Sequence, residues 1–289
     1  MTGGGVRTAV TGRVTGQRRS PWFTSFEDRP EASLRLVCLP FAGGGAAAYR
    51  SWLSRLPRSV ELNAVQLPGR QDRVAEKALT GHQEIVLALA DALAGEPDDR
   101  PYAFFGHSMG ALLAFELARE LRGRGAPAPV LLGVSGLAAP STGPFHGAIT
   151  HLPDDAFLEA VATLGGMPDE ILASPSLIDF LLPTLRADFG VCEGYRYRRQ
   201  APLDCPLVVF SGIHDPATPL EDLRGWQAES TRPVRLRQHP GGHFYLLDQP
   251  DAVVGALVSE VREALAAGAD GAGTSGWPVP DRASAERQP

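Results

Sequence analysis

The segment Gly106-His-Ser-Met-Gly110 has the pattern Gly-x-Ser-x-Gly, with a serine between two glycines. An apolar run, Tyr102 to Phe105, leads into it, and a helical pattern begins at Met109. A sharp strand-to-helix turn of this kind exposes a serine hydroxyl in a strained conformation, and the glycines relieve the crowding around it. The bare pattern also arises by chance, and Ser108 would then be a capping serine in a glycine-rich turn. The flanking strand and helix favour a nucleophile.

A serine nucleophile needs a general base that is oriented by a carboxylate. With a strand-turn-helix nucleophile, the chain order is Ser, then Asp or Glu, then His. His243 lies in a glycine-rich loop just before the last predicted helix, where a base can reach over the sheet edge. Five other histidines come too early, stand beside the nucleophile, or lack such a loop: His107, His146, His151, His214 and His239. We therefore predict that His243 is the base.

Asp215 follows the apolar run Leu207 to Phe210, at the carboxyl end of a predicted strand. That edge of an open α/β sheet is where ligands and catalytic groups are placed. The alternatives are Asp204, which precedes the same strand, Asp222 in the following helix, and Asp188 in a helical insertion. Asp215 is the predicted orienting carboxylate.

An oxyanion hole requires two backbone N–H groups that point at the developing negative charge. Met109, directly after the nucleophile, is predicted to supply one, and Ala42 in the loop Pro40-Phe-Ala-Gly-Gly-Gly45 the other. The loop lacks the spacing of a dinucleotide-binding turn and the Lys-Ser/Thr of a phosphate-binding loop, so nucleotide binding is a poor interpretation. We expect neither a metal nor a cofactor.

The elements that must position these residues alternate along the chain. Helical patterns include an apolar stripe from Ile85 to Leu93, Met109 to Arg122, and Asp251 to Ala266. Five short apolar runs suit strands buried on both faces: Leu34–Leu39, Val60–Leu67, Tyr102–Phe105, Val130–Val134 and Leu207–Phe210. This series predicts an α/β fold with a mostly parallel central sheet flanked by helices.

Residues 151–199 interrupt the alternation, because they contain helix signals broken by prolines and no convincing strand. They could be extra core or a lid over the carboxyl edge of the sheet, and their place between the fourth and fifth strands favours a helical lid. We predict one domain over residues 22–266, with a flexible, weakly basic arm at 1–21 and a disordered tail at 267–289.

Composition and charge argue against several classes of function. The 289 residues carry a formal charge of −6, which argues against nucleic acid as a general partner. Hydrophobic residues make up 44% of the chain, but nowhere do enough of them run together to span a membrane. The three cysteines, Cys38, Cys192 and Cys205, are widely spaced and suggest neither a disulfide framework nor a zinc site. We expect a cytoplasmic protein with no membrane partner.

Across about Trp22 to Ala266, an ordered series of segments resembles the type II thioesterases of polyketide and nonribosomal peptide assembly lines, a family of the α/β-hydrolase superfamily. The segments are Leu39-Pro-Phe-Ala-Gly-Gly-Gly45 with Tyr49 and Trp52, Gln66-Leu-Pro-Gly-Arg70 with Arg73, Phe105-Gly-His-Ser-Met-Gly110 with Phe115-Glu116, Leu164-Gly-Gly-Met-Pro168, Leu182-Pro-Thr-Leu-Arg-Ala-Asp-Phe189, Tyr195-Arg-Tyr197, Pro202-Leu-Asp-Cys-Pro206, Asp215, Trp226 and Gly241-Gly-His-Phe244.

The resemblance implies the same triad, Ser108, Asp215 and His243, and a lid that encloses an acyl chamber. It implies substrates that are acyl groups thioesterified to the phosphopantetheine arm of an acyl or peptidyl carrier protein, with editing as the biological role. Small acyl thioesters would also be substrates. Two departures from the family pattern are Phe41, where a histidine is common, and Thr218, where a valine is common.

Two other functions compete. A carboxylesterase or lipase would use the same triad on oxygen esters, and a hydrolase-like binding protein would have lost catalysis, which an intact triad argues against. The sequence shows no carrier-protein serine motif and no second domain, so we expect a free-standing hydrolase.

Residues of the insertion predicted to line the acyl chamber are Leu164, Met167, Leu181 and Leu185. Arg196-Tyr-Arg-Arg199, at the end of the insertion's last helix, would either dock an acidic carrier or complement the helix dipole.

Overall fold

The computed structural model describes residues 20–96, 98–143, 147–165 and 174–270. Within them, seven strands form one sheet in the order β1-β3-β2-β4-β5-β6-β7. The first strand pairs antiparallel with the third, and the remaining pairings are parallel, which confirms the predicted mostly parallel sheet. In chain order, β1 to β7 are Phe23–Thr24, Leu34–Leu39, Val60–Val65, Tyr102–His107, Leu131–Ser135, Leu207–Gly212 and Arg235–His239.

Helices cover both faces of the sheet. Those of the described residues, α1 to α7, are His82–Ala94, Met109–Gly123, Asp154–Ala162, Pro175–Glu193, Leu220–Arg224, Tyr245–Asp248 and Pro250–Asp270. Because side chains alternate along a strand, Phe104 packs with α1 and α2 on one face, whereas Phe105 packs with α7 and Trp52 on the other. The central strands are therefore buried on both sides, as their apolar sequences predict.

The carboxyl ends of three strands carry the predicted catalytic residues to one edge. Ser108 follows β4, Asp215 follows β6, and His243 follows β7. Since β4, β5, β6 and β7 are successive parallel neighbours, their carboxyl ends lie side by side. The topology alone thus brings residues that are more than a hundred positions apart to a common edge.

The described part of the insertion is helical, as predicted. α3 and α4 enclose a small apolar cluster, in which the rings of Phe157 and Phe189 meet edge to face at 5.5 Å. Ala42, in the loop after β2, packs against this cluster. The described part of the insertion therefore packs over the loop at the carboxyl end of β2.

Two predicted boundaries were wrong. Helix α4 ends at Glu193, so Arg196–Arg199 follow the helix instead of forming its last turn. Helix α7 continues to Asp270, past the boundary predicted at Ala266. Strands β1 and β7 were not predicted.

Some predictions concern residues outside the described ranges. These are His146, Met167, and the rest of the predicted arm and tail. Among the described helices, none combines the length and the apolar character needed to cross a membrane.

Candidate active site

Ser108 sits in a strained turn between β4 and α2. Its φ of 54° and ψ of −118° are unusual for a residue with a side chain. The two flanking glycines are required by close backbone approach: a Cβ on Gly106 would lie 2.0 Å from the Gly110 carbonyl oxygen, and one on Gly110 would lie 2.1 Å from that of Leu39. The Ser108 N–H donates to the Ser135 carbonyl at 2.8 Å, which fixes the turn to the sheet.

Asp215 and His243 form a buried pair, with 2.8 Å between Oδ2 and Nδ1. Asp215 also accepts hydrogen bonds from the Ala217 N–H and the Thr218 hydroxyl, each at 2.9 Å. Burial alone would raise the pKa of Asp215. The hydrogen bond and charge of His243, with the hydrogen bonds from residues 217 and 218, have the larger combined effect, and the pKa is lowered. Because an ionised carboxylate only accepts, Nδ1 carries the proton and Nε2 has a free lone pair.

Ser108 and His243 line the same cavity. Nε2 of His243 is buried and forms no hydrogen bond with the described residues, Ser108 included. The bond between a serine and its base is often long without substrate and tightens when the substrate binds. The arrangement thus places the predicted nucleophile and the predicted base beside one cavity, with His243 oriented by Asp215.

The histidines and carboxylates considered as alternatives lie elsewhere. His239 stacks on Tyr245 with 5.3 Å between ring centroids, and burial lowers its pKa. His151 and His214 are exposed. Asp204 is exposed and pairs with Arg232 at the surface. None of these four side chains forms a hydrogen bond or an ion pair with Asp215 or His243 within the described residues.

His107 is buried behind the base and was not predicted to have a role. Its Nδ1 is hydrogen-bonded to the Ser135 hydroxyl at 2.8 Å, and that hydroxyl bonds the Tyr245 hydroxyl at 2.6 Å. The His107 and His243 ring centroids are 4.9 Å apart. Burial, aided by the charge of His243, lowers the pKa of His107 well below its usual value. His107 is therefore a neutral packing partner of the base.

The loop after β2 forms a tight turn over residues 41–44. The Gly44 N–H donates to the Phe41 carbonyl at 2.9 Å, and Gly43 has a φ of +78°, which together define a type II turn. Ala42 lines the cavity, and no carbonyl of the described residues accepts its N–H. Met109 is the first residue of α2, where N–H groups have no partner within the helix. Both predicted oxyanion donors are thus free to bind a ligand.

The cavity beside Ser108 has a volume of about 400 Å³ and a mostly apolar wall. Leu164, Leu181 and Leu185, three of the predicted chamber residues, line it. Phe41, Val161, Phe180, Phe189 and Phe244 complete most of the apolar wall. Within the described ranges there is no group of three or more His, Cys, Asp or Glu residues that could hold a metal ion.

One buried ion pair beside the cavity was missed by the sequence analysis. Arg70 makes two hydrogen bonds to Asp188 of α4, at 2.5 and 2.8 Å, and both side chains are buried. Both residues stand in segments that carry the family resemblance, but 118 positions separate them, and no local spacing connects them. Only the folded chain reveals the pair.

The chain is similar to known proteins in both sequence and structure. The sequence model of the thioesterase domain family matches residues 34–260. The gramicidin S biosynthesis protein GrsT of Aneurinibacillus migulanus is 38% identical over 246 residues, which are 85% of this chain and 95% of GrsT. Among solved structures, RedJ, a thioesterase of the prodiginine pathway in Streptomyces coelicolor, is 41% identical with a TM-score of 0.76, over 81% of this chain and 87% of RedJ.

A second solved structure is the type II thioesterase BorB from the borrelidin biosynthetic cluster. It is 36% identical with a TM-score of 0.77, over 85% of this chain and 99% of BorB. The match to the family model spans β2 to β7, the insertion and the ends of β4, β6 and β7. The chain belongs to the thioesterase domain family, and it is a hydrolase of the α/β-hydrolase fold that acts on thioesters.

Proposed function

We propose that this thioesterase removes aberrant or stalled acyl groups from the phosphopantetheine thiol of carrier proteins in a polyketide or nonribosomal peptide pathway. The observation that carries the proposal is the Asp215–His243 pair, bonded at 2.8 Å, which shares an apolar cavity with Ser108 on its strained turn. Two further structural relatives, ClbQ and YbtT, are each 29% identical and are named for the colibactin and yersiniabactin NRPS/PKS pathways, which supports carrier proteins as the partners.

The proposed reaction has two halves. The Ser108 hydroxyl attacks the thioester carbonyl while Nε2 of His243 takes its proton, and the N–H groups of Ala42 and Met109 stabilise the oxyanion. The carbon–sulfur bond then breaks, His243 returns the proton to sulfur, and the carrier leaves with a free thiol. A water molecule, deprotonated by the same nitrogen, attacks the acyl-serine ester and releases the acid.

The cavity suits an editing role. The side chains that the insertion contributes to it are mostly apolar, among them Leu164, Leu181 and Leu185. An apolar wall discriminates weakly, because one methylene changes the binding free energy by only about 1–3 kcal/mol. An enzyme that clears many different acyl groups requires such tolerance. A dedicated releasing enzyme would instead need polar groups placed to recognise one product.

The test of this function is a panel of acylated carrier proteins, with mass spectrometry of each carrier before and after incubation. We expect several short acyl groups to be removed at comparable rates, and the matched oxygen esters to be hydrolysed much more slowly. Preference for the oxygen esters would indicate a carboxylesterase or lipase, and a single substrate preferred by several orders of magnitude would contradict editing. Binding without turnover of any panel member would indicate a noncatalytic protein.

A further inference from the structure

The helix α4 of the insertion touches the loop that carries Ala42 through one carboxylate. Asp188 is fully buried, and its Oδ2 accepts the Gly43 N–H at 2.7 Å as well as an Arg70 N–H at 2.5 Å. The same Arg70 nitrogen donates to the Gly44 carbonyl at 2.9 Å. The ion pair therefore holds two successive residues of the turn, one by its N–H and the next by its carbonyl.

This contact determines the orientation of one peptide unit. In a type II turn the central peptide, here the Ala42 carbonyl and the Gly43 N–H, is inverted relative to a type I turn. Glycine adopts both orientations readily, so Gly43 does not decide between them. An inverted peptide would direct the Ala42 carbonyl oxygen toward the Asp188 carboxylate, and the two would repel. Asp188 thus selects the observed turn.

Packing reinforces the contact from the same helix. Leu185 lies one turn before Asp188 on α4, and a Cβ on Gly43 would be only 2.6 Å from its Cδ2. The turn is therefore pressed against the insertion. A buried ion pair is not needed to fill this space, because well-packed apolar residues of similar volume often stabilise a protein as well or better. Its directional hydrogen bonds to the turn are what an apolar pair could not supply.

We infer that Asp188, together with Arg70, is a positioning residue: by anchoring the Gly43 N–H and the Gly44 carbonyl, the pair fixes the turn whose first peptide carries the Ala42 N–H of the predicted oxyanion hole. The inference rests on the proposed serine mechanism. It means that the oxyanion hole is complete only while α4 is packed against the turn. The helix that encloses the acyl group is then also required for catalysis. Asp188 does not touch the substrate's reacting atoms in this account.

The main test variant is Arg70→Met with Asp188→Leu, which removes both charges at once and leaves no unpaired ion in the interior. Asp188→Ala is the second variant, because it removes the oxygen that accepts from both Arg70 and Gly43. Arg186→Gln is the matched control on the same helix. Arg186 donates to the Thr150 and Leu152 carbonyls at 2.7 and 2.8 Å and has no contact with the turn.

The readouts are kcat and KM for a small acyl thioester and the rate at which a fluorophosphonate labels Ser108. In the labelling step the serine oxygen bonds phosphorus, fluoride leaves, His243 takes the proton, and the phosphoryl oxygen occupies the oxyanion hole. Loss of one oxyanion donor lowers turnover by about 10²–10³-fold. We therefore expect both pair variants to lose about tenfold to 100-fold in kcat and in labelling rate together, with KM nearly unchanged.

Arg186→Gln should retain the wild-type kcat and labelling rate. Circular dichroism and thermal melting identify variants that are not folded. Asp188→Ala decides the question if the double variant does not fold. A folded variant without the pair that labels at the wild-type rate would overturn the inference, as would a change confined to KM. If the wild type labels at Ser108 but hydrolyses no acyl carrier, the proposed function fails while the labelling series still tests Asp188.

Discussion

At the scale of single residues, Asp215 determines which nitrogen of His243 is protonated. Asparagine at this position would keep the shape but donate to Nδ1, which leaves Nε2 protonated and unable to accept the serine proton. We expect Asp215→Asn to lower kcat by roughly 10⁴-fold with the fold intact. Asp222→Asn, a change of the same kind on α5, is the control and should have kcat near the wild-type value. Equal losses in the two variants would contradict the assignment of Asp215.

His107 gives the protein a pH-dependent stability. Burial holds its pKa well below the usual value in the folded state, so the unfolded chain binds a proton below about pH 6.5 that the native protein does not. The free energy of unfolding should therefore fall as the pH decreases below about 6.5, by up to about 1.4 kcal/mol per pH unit for this group. His107→Asn should reduce that slope in urea titrations between pH 5 and 6.5.

An amide in place of the imidazole can still bond Ser135, so the variant removes the titration while keeping one hydrogen bond. The diagnostic quantity is the slope, because His107→Asn also changes the stability at every pH. Parallel curves for wild type and variant would mean that His107 does not titrate differently in the folded and unfolded chains.

At the scale of elements, we expect helix α4 to limit the length of the acyl chain that the cavity beside Ser108 accepts. Leu181 lines the cavity, whereas Leu177, one turn earlier, is 45% exposed and does not. Leu181→Trp should therefore lower kcat/KM for longer acyl chains by about tenfold or more relative to short ones, at about 1–3 kcal/mol per excluded methylene. Leu177→Trp is the matched control and should leave the chain-length profile unchanged. The measurement is a series of acyl thioesters from two to eight carbons.

The strands that the sequence predicts and those it misses differ in burial. The five apolar runs are central strands, and burial on both faces requires continuous apolar sequence there. Strand β7 was missed because Arg235 and Arg237 interrupt its apolar pattern, yet both pair with Glu260, which α7 buries beneath this edge strand. Strand β1 has only two residues and no pattern to detect.

The candidate site, like the sheet, could be predicted only in part from the sequence. Ser108, Asp215 and His243 could be proposed from local sequence, because the first two follow apolar runs and the third stands in a glycine-rich loop. The type II turn that carries Ala42 and its contact with Asp188 were not readable. They depend on how the insertion docks, and no periodicity along the chain encodes that docking.

At the scale of the whole molecule, a net charge of −6 cannot attract an acidic carrier protein over long distances. A local basic surface would have to do so. Arg198 and Arg199 are exposed, and no carboxylate of the described residues forms an ion pair with either. Arg196 donates to the Glu193 carbonyl at 2.7 Å, at the end of α4. An interaction with the helix dipole therefore explains the position of Arg196, but not those of Arg198 and Arg199.

We expect Arg198→Glu with Arg199→Glu to raise KM for acyl-carrier substrates by about tenfold at low salt, because charge complementarity mainly raises the association rate. Hydrolysis of a small acyl thioester should not change, and added salt should weaken the wild-type reaction with carriers in the same way. Arg224→Glu with Arg262→Glu changes the charge equally at two other exposed positions and is the control. Losses on both substrates would instead indicate a disturbed insertion.

The central claim, that this thioesterase works through an acyl group on Ser108, is tested most directly by trapping that intermediate. Enzyme mixed with a stoichiometric acyl-carrier substrate is quenched in acid, digested and analysed by mass spectrometry. We predict that the peptide containing Ser108 gains the acyl mass as free carrier thiol appears. Ser108→Ala should show neither the adduct nor release above about 10³–10⁴ times the uncatalysed rate. Release by Ser108→Ala at the wild-type rate would contradict the mechanism.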